Sequence, residues 1–305
     1  MSFLDTLRVS PGPATTAATT TAAPNTAAPN TTAAPNTTAH LTAVIDDDWG
    51  IVYSQGGVIF AAMLRAAEQT LDRPDLVPVS TNATFIRPVR CGPIAITVEV
   101  LRSGRNGAQT RITVHDPADG DPTPNVQATL VCATSDATFP TFNGLTSPFA
   151  TNVPGPENCA RLGTDHDDRP TMPFFRRTDW RDATPTDSFL HKRLWFSFSD
   201  EPDSPVHGLG PTDAWDFALL PIPGDALGMA GGPSATEVVG PLTSPTLELS
   251  LQFASPARGQ WIGVESQCHR SAGGLISGVA SLWNTDGSLI ATAVQTAMLR
   301  RLPTT

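Results

Sequence analysis

Three side chains far apart along the chain carry groups that could do chemistry. Gln295 lies in "DGSLIATAVQTAML", residues 286–299, within an otherwise apolar, strand-like run. Its face of that strand also carries Leu289, Ala291, Ala293, Ala297 and Leu299, so alanines clear space beside the carboxamide. A buried carboxamide must find partners for its oxygen and its amide hydrogens, or cost about 1–3 kcal/mol. Thr246 opens "TLELSLQF", 246–253, whose alternation groups Thr246, Glu248, Ser250 and Gln252 on one face and four apolar residues on the other. Asp216 sits in "DAWDFALLP", behind Asp213. Each also has a structural explanation. Gln295 could bond backbone at a sheet edge, threonine commonly opens strands, and Asp213 and Asp216 suit the N-cap and first turn of a helix.

Other sources of catalysis are poorly represented. There is no GxSxG nucleophile elbow and no HxxxH or HExxH pair among His40, His115, His166, His191, His207 and His269, so no metal and no cofactor is expected. Arg87, Arg90, Arg102, Arg105 and Arg111 face one acid, Glu99, across 85–112; they could hold phosphates or belong to solvated strand faces.

The elements that must position these groups follow from pattern and composition. With 305 residues, 40% of them hydrophobic, the chain can bury one large core or two ordinary ones. A formal net charge of −10 argues against nucleic acid. No apolar run reaches the length of a membrane span, and the N-terminus lacks the pattern of a signal peptide. Cys91, Cys132, Cys159 and Cys268 lack CxxC spacing, which suggests reduced thiols and a cytoplasmic location. Residues 14–39 repeat "AAPNT" three times in a Thr/Ala/Pro tract too polar to fold on its own.

The chain also echoes itself. Phe85-x-x-Pro88 aligns with Phe253-x-x-Pro256 at a spacing of 168 residues. The same spacing places Gln127, in "DGDPTPNVQATLV", on Gln295, and both copies carry strand, Gly-containing turn, strand and Asp-Gly turn in the same order. Ahead of the strands, "GGVIFAAMLRAAEQTL", 56–71, reads as a helix apolar on nearly all sides, hence wrapped by other structure. In the second half "TDAWDFALL", 212–220, takes the matching place and ends at Pro221.

"SQGGVIFAAMLRAAEQTL", "FIRPVR" and "VEVLRSGR" in the first half, with "RLWFSF", "DFALLP", "TLELSLQF" and "GGLISGVASLWNTDGSLIATAVQT" in the second, resemble the double-hotdog acyl-CoA thioesterases of the thioesterase II group. The resemblance covers most of 41–134 and 188–301. It implies an α+β tandem hotdog, two antiparallel sheets each wrapped around a central helix. The expected division is an N-terminal unit over 1–144, a linker over 145–187 and a C-terminal unit over 188–305. A first strand near "SFLDTLRV" would run into a second near "HLTAVIDDDW", making 14–39 an insertion in the first hairpin.

The resemblance also implies an activity: hydrolysis of acyl-CoA or a related acyl thioester, without a metal or cofactor. It carries the family's catalytic aspartate onto Asp216, with Asp213 as the alternative, its threonine onto Thr246 and its glutamine onto Gln295. A water held between the aspartate and the Thr246/Gln295 pair would attack the thioester. Backbone amides at Gly56 and Gly57 would receive the oxyanion and bind substrate. Pro78 stands where Thr246 would repeat, so one working site is expected, in the second half. The chain departs from the family after Gln295, where Thr296-Ala297 replaces Glu-Gly. A silent acyl-chain binding or scaffold protein is the alternative, and assembly into a homo-oligomer is left open.

Overall fold

The computed structural model describes residues 9–12, 37–150, 153–163, 172–184, 190–230 and 240–301. The expected first strand near "SFLDTLRV" falls mainly outside them, as does most of the 14–39 tract. Helix α1 spans Gly56–Leu71, as the sequence predicts, and eleven of its sixteen residues are buried. Small alanines and Gly57 let neighbouring backbone approach from every side. Gln55 caps its start, the side-chain Oε1 accepting from Val58 N at 2.9 Å. Asp72 closes its end in the left-handed region, φ 46°.

Around α1 stand β1 (Ser10–Pro11), β2 (Thr38–Ile45), β3 (Val77–Phe85), β4 (Gly92–Gly104), β5 (Gly107–His115) and β6 (Val126–Ala133). The connecting segment adds β7 (Ala160–Arg161), the short helix α2 (Phe174–Arg177) and β8 (Thr178–Asp182). The second half contributes β9 (His191–Phe198), the short helix α3 (Pro221–Gly224), β10 (Leu242–Thr243), β11 (Thr246–Phe253), β12 (Ile262–Ala272), β13 (Leu275–Trp283), β14 (Leu289–Met298) and β15 (Arg300–Arg301).

These strands do not form two separate sheets, which corrects the expected architecture. Thirteen of them make one antiparallel sheet in the order β1-β2-β4-β5-β6-β3-β11-β14-β13-β12-β9-β8-β7. β3 and β11 end their respective halves, and each would expose a row of unpaired backbone groups. Pairing with each other satisfies both rows. Asn82 stands opposite Ser250, and its Nδ2 donates to Ser250 Oγ at 2.7 Å. These residues are 168 apart, so the two copies of the repeat meet at equivalent positions.

The second-half helix also differs from expectation. Residues 217–219 form a 3-10 turn, α3 begins at Pro221 rather than ending there, and helical backbone resumes over 227–230. A proline is acceptable in the first helical turn because its missing N–H would have had no intrahelical acceptor. Between the two helical pieces lies Asp225, whose N–H bonds Pro221 O at 3.0 Å.

Two further expectations are revised. The segment 145–187, expected as a linker, also contributes to the fold: β8 extends the sheet beside β9, and Phe174 and Trp180 are buried. The spacing of 168 also fails at the last strand of each half. Gln295 pairs with Leu249, but the position equivalent to Leu249 is Thr81, which pairs with Leu130. Leu130, not Gln127, therefore occupies the place of Gln295; Gln127 is exposed. No described helix is long and apolar enough to cross a membrane.

Candidate active site

Thr246 and Gln295 are brought together by a device that alternation conceals. Thr246 stands opposite Ala297, and a bulge between Thr246 and Glu248 shifts the register so that Leu249 stands opposite Gln295. Ala297 and Gln295 share a face of β14, so Thr246 turns to that inner face instead of the outer one occupied by Glu248. Gln295 is 4% exposed, between Ala293 and Ala297, and its Nε2 donates to Thr246 Oγ1 at 2.8 Å.

The orientation of the Gln295 amide is set from outside the strand. Leu227 N donates to Gln295 Oε1 at 3.0 Å, which leaves Nε2 facing Thr246. Gly278 lies directly across from Gln295 on β13. A Cβ there would overlap the backbone carbonyl of Gln267 on β12 and stand 2.6 Å from Leu227 Cδ1, so glycine is required first by the close approach of β12 and also by the Leu227 turn over the strand.

The carboxylate that meets this pair belongs to Asp225. Thr246 Oγ1 donates to Asp225 Oδ1 at 2.8 Å, and Gln295 Nε2 bonds the same oxygen. Asp225 Oδ2 accepts from Gln55 Nε2 at 2.8 Å and from Gly57 N at 3.1 Å. One oxygen is thus held by the C-terminal half and the other by the start of α1. Protein surrounds Asp225, leaving only part of its surface open to the cavity described below. Burial lifts its carboxyl to about 6, outweighing the bonds from Thr246, Gly57 and Gln295 that pull the other way. A carboxylate poised there can take and return a proton near neutral pH.

Asp216, the expected base, is placed elsewhere. One carboxylate oxygen caps the 3-10 turn, accepting from Ala218 N at 2.8 Å, and the other pairs with Arg65 of α1. Asp213 accepts from Gly210 N at 2.7 Å on an exposed loop. Neither is among the bonding partners of Thr246 and Gln295; the acid in contact with that pair is Asp225. Gly57 is likewise reassigned, since its amide is bonded to Asp225. Its missing Cβ serves packing: a Cβ would stand 2.7 Å from Ile222 Cα. Gly56 is the first residue of α1, where an amide has no intrahelical acceptor.

Asp225, Thr246 and Gln295 open onto a cavity of about 970 Å³. Gln55, Gly56, Phe85, Phe174, Trp180 and Met298 are among its walls. The aromatic residues of the segment after 172 therefore reach the cavity. Arg87 lines it too, held by Asp119 and Asp121 at 2.8 Å each. Among the described residues no cluster of three or more His, Cys, Asp or Glu could hold a metal ion.

Asp225 was missed because "PIPGD" reads as a turn beyond the helix. The available signal was the repeat itself, since 168 residues from Gly57 lands on Asp225.

Known proteins were compared with this arrangement. The model of the acyl-CoA thioesterase N-terminal domain matches residues 45–139, and that of the acyl-CoA thioesterase C-terminal domain matches 156–299. A structure assigned as a thioesterase from Novosphingobium aromaticivorans is 26% identical, with a TM-score of 0.66 over 86% of this chain and 95% of that one. An acyl-CoA thioesterase II, TesB2, from Mycobacterium marinum is 15% identical, with a TM-score of 0.64 over 86% and 93%. A conserved protein of unknown function with a hot dog fold from Alicyclobacillus acidocaldarius is 17% identical, with a TM-score of 0.65 over 87% and 94%. Comparison with curated proteins finds no match.

Proposed function

The chain belongs to the acyl-CoA thioesterase family, and we propose that Asp225, Thr246 and Gln295 are the residues with which it hydrolyses an acyl thioester. The observation that carries this reading is the direct contact of all three around one buried carboxylate at the cavity.

Thr246 and Asp225 touch directly, so the attacking water is placed beside them on the cavity side, not between them. Thr246 Oγ1 donates to Asp225 and accepts from Gln295, which leaves one lone pair to orient the water. Gln295 spends both Nε2 hydrogens on Asp225 and Thr246, so it organises them without touching the water. The water oxygen bonds to the thioester carbon while its proton passes to Asp225. The Gly56 amide stabilises the resulting oxyanion. Collapse of the tetrahedral intermediate breaks the C–S bond, and the proton on Asp225 goes to the departing sulfur. Free acid and thiol are the products, and no acyl-enzyme forms.

Acyl-CoA is the substrate class the family implies, and the largely apolar cavity suits the acyl chain. Cys91, Cys132, Cys159 and Cys268 are all unpaired, which supports a reducing compartment such as the cytoplasm; a place in lipid metabolism rests on the acyl-CoA substrate class alone. The first half, with Pro78 and Leu130 at the positions of Thr246 and Gln295, carries no second copy of the site and contributes the start of α1 and part of the cavity wall to the one in the second half.

Thiol release from a panel of acyl-CoAs, with a thiol-reactive dye, tests this. Turnover in ¹⁸O-water that labels the acid, without a trappable acyl-enzyme, is expected. Tight acyl binding with no turnover at any chain length would favour the silent binding protein.

A further inference from the structure

Gln55 stands in the N-terminal half yet bonds the carboxylate of the C-terminal half. It is 7% exposed and lines the cavity. As N-cap of α1, its Oε1 is committed to Val58 N at 2.9 Å, which fixes the orientation of its amide. Nε2 then carries two hydrogens. One is donated to Asp225 Oδ2 at 2.8 Å, and the second has no acceptor among the described residues. An amide nitrogen presents its two hydrogens about 120° apart, so a group bonded to the second sits beside the Asp225 carboxylate. Gly57, the next backbone donor along α1, has its amide on Asp225 already.

Resting on the thioesterase reading above, we propose that Gln55 is a catalytic residue, its unspent Nε2 hydrogen bonding the substrate thioester oxygen and stabilising the oxyanion that forms there. With Gly56, it gives the oxyanion one side-chain and one backbone donor. Asp225 and the electrophile then share a single amide as their common neighbour, which holds base and carbonyl at a fixed distance. The N-terminal half is therefore a chemical partner in the site as well as a scaffold. No charged group is among the causes acting on Asp225. On the adjoining elements, Arg65 is engaged with Glu68 and Asp216, and Glu248 with Asn82. Loss of the Gln55 bond would therefore register at Asp225 without a neighbouring charge to mask it.

Replacement by alanine would also remove the helix cap, so the informative variants are Gln55→Ser and Gln55→Glu. Both keep an oxygen for capping and lose the amide donor. In acyl-CoA hydrolysis each is expected to lower kcat on the order of 10²–10³, with KM within a few-fold and the melting temperature near that of the parent. The acid limb of the pH profile should move to higher pH in Gln55→Ser, because Asp225 loses a donor to its charged form, and further in Gln55→Glu, where a second carboxylate adds repulsion. Parent-like kcat and pH profile in either folded variant, with Asp225→Asn inactive, would overturn this role for Gln55 alone. A parent protein that hydrolyses nothing, or an Asp225→Asn variant that hydrolyses normally, would overturn it together with the reading it rests on.

Discussion

Gly57 donates its backbone amide to Asp225 Oδ2 at 3.1 Å, joining the first turn of α1 to the break that follows α3. The two residues are 168 apart, the spacing that also separates Asn82 from its bonded partner Ser250. Both contacts lie where the copies of the repeat meet. Where the first copy offers a bare backbone donor, the second offers a carboxylate. The two copies differ at this meeting point, and the difference sets a carboxylate on one side against its donors on the other.

The first prediction concerns pH. With Asp225 ionising at about 6, hydrolysis requires its charged form. The kcat/KM profile should rise about tenfold per pH unit below that value and level off above it. Steady-state rates from pH 4.5 to 8 measure this.

The same group makes a stability prediction of defined sign. Its folded pKa, about 6, lies above the usual aspartate value of 3.8, so the folded state binds the proton more tightly. That contribution is complete below the unfolded value and is lost as pH rises through the folded one. Relative to Asp225→Asn, the parent protein should lose up to about 3 kcal/mol between pH 3 and 8. Denaturant melts of both proteins across that range give the difference.

Thr246 supplies only a hydroxyl, so Thr246→Ser should retain activity within about tenfold. Thr246→Val, which keeps the shape and loses the oxygen, should lose on the order of 10²–10³ in kcat. KM for the same acyl-CoA should change little in either variant.

Gly278→Ala would press on the Gln267 carbonyl of β12 and on Leu227, whose amide holds Gln295. A fall in kcat of about tenfold or more is expected. Combined with Gln295→Ala, the part of the Gly278→Ala effect that passes through Leu227 should disappear, while the part that comes from displacing β12 should remain. A double-mutant cycle on purified, folded variants measures the coupling.

Much of this architecture was legible in the chain. The apolar helix over 56–71 and the Phe-x-x-Pro repeat were readable because helical periodicity and turn chemistry are local properties. Thr246 and Gln295 were singled out by their types and by the alanines around the glutamine. The merging of the halves into one sheet was not readable, since strand order depends on which edges find each other in space. The bulge after Thr246 was equally hidden, because a single extra residue inverts the face that alternation assigns. The proline-rich "PIPGD" concealed the carboxylate that meets Thr246 and Gln295: those prolines begin a helical turn rather than close one, and Asp225 follows it directly. The resemblance carried the family's aspartate onto Asp216, an acid at a helix start, a placement that the dipole and the Arg65 pair explain.

The identity of the base is the point on which the mechanism turns, and one paired measurement addresses it. Acyl-CoA hydrolysis should be compared for Asp225→Asn and Asp216→Asn, with acyl binding followed in parallel. Asp225→Asn should lose on the order of 10³ or more in kcat while still binding substrate. Asp216→Asn should keep kcat within about threefold and lose no more than about 1 kcal/mol of stability from its ion pair with Arg65. The opposite pattern, an active Asp225→Asn enzyme beside an inactive but folded Asp216→Asn enzyme, would contradict the account.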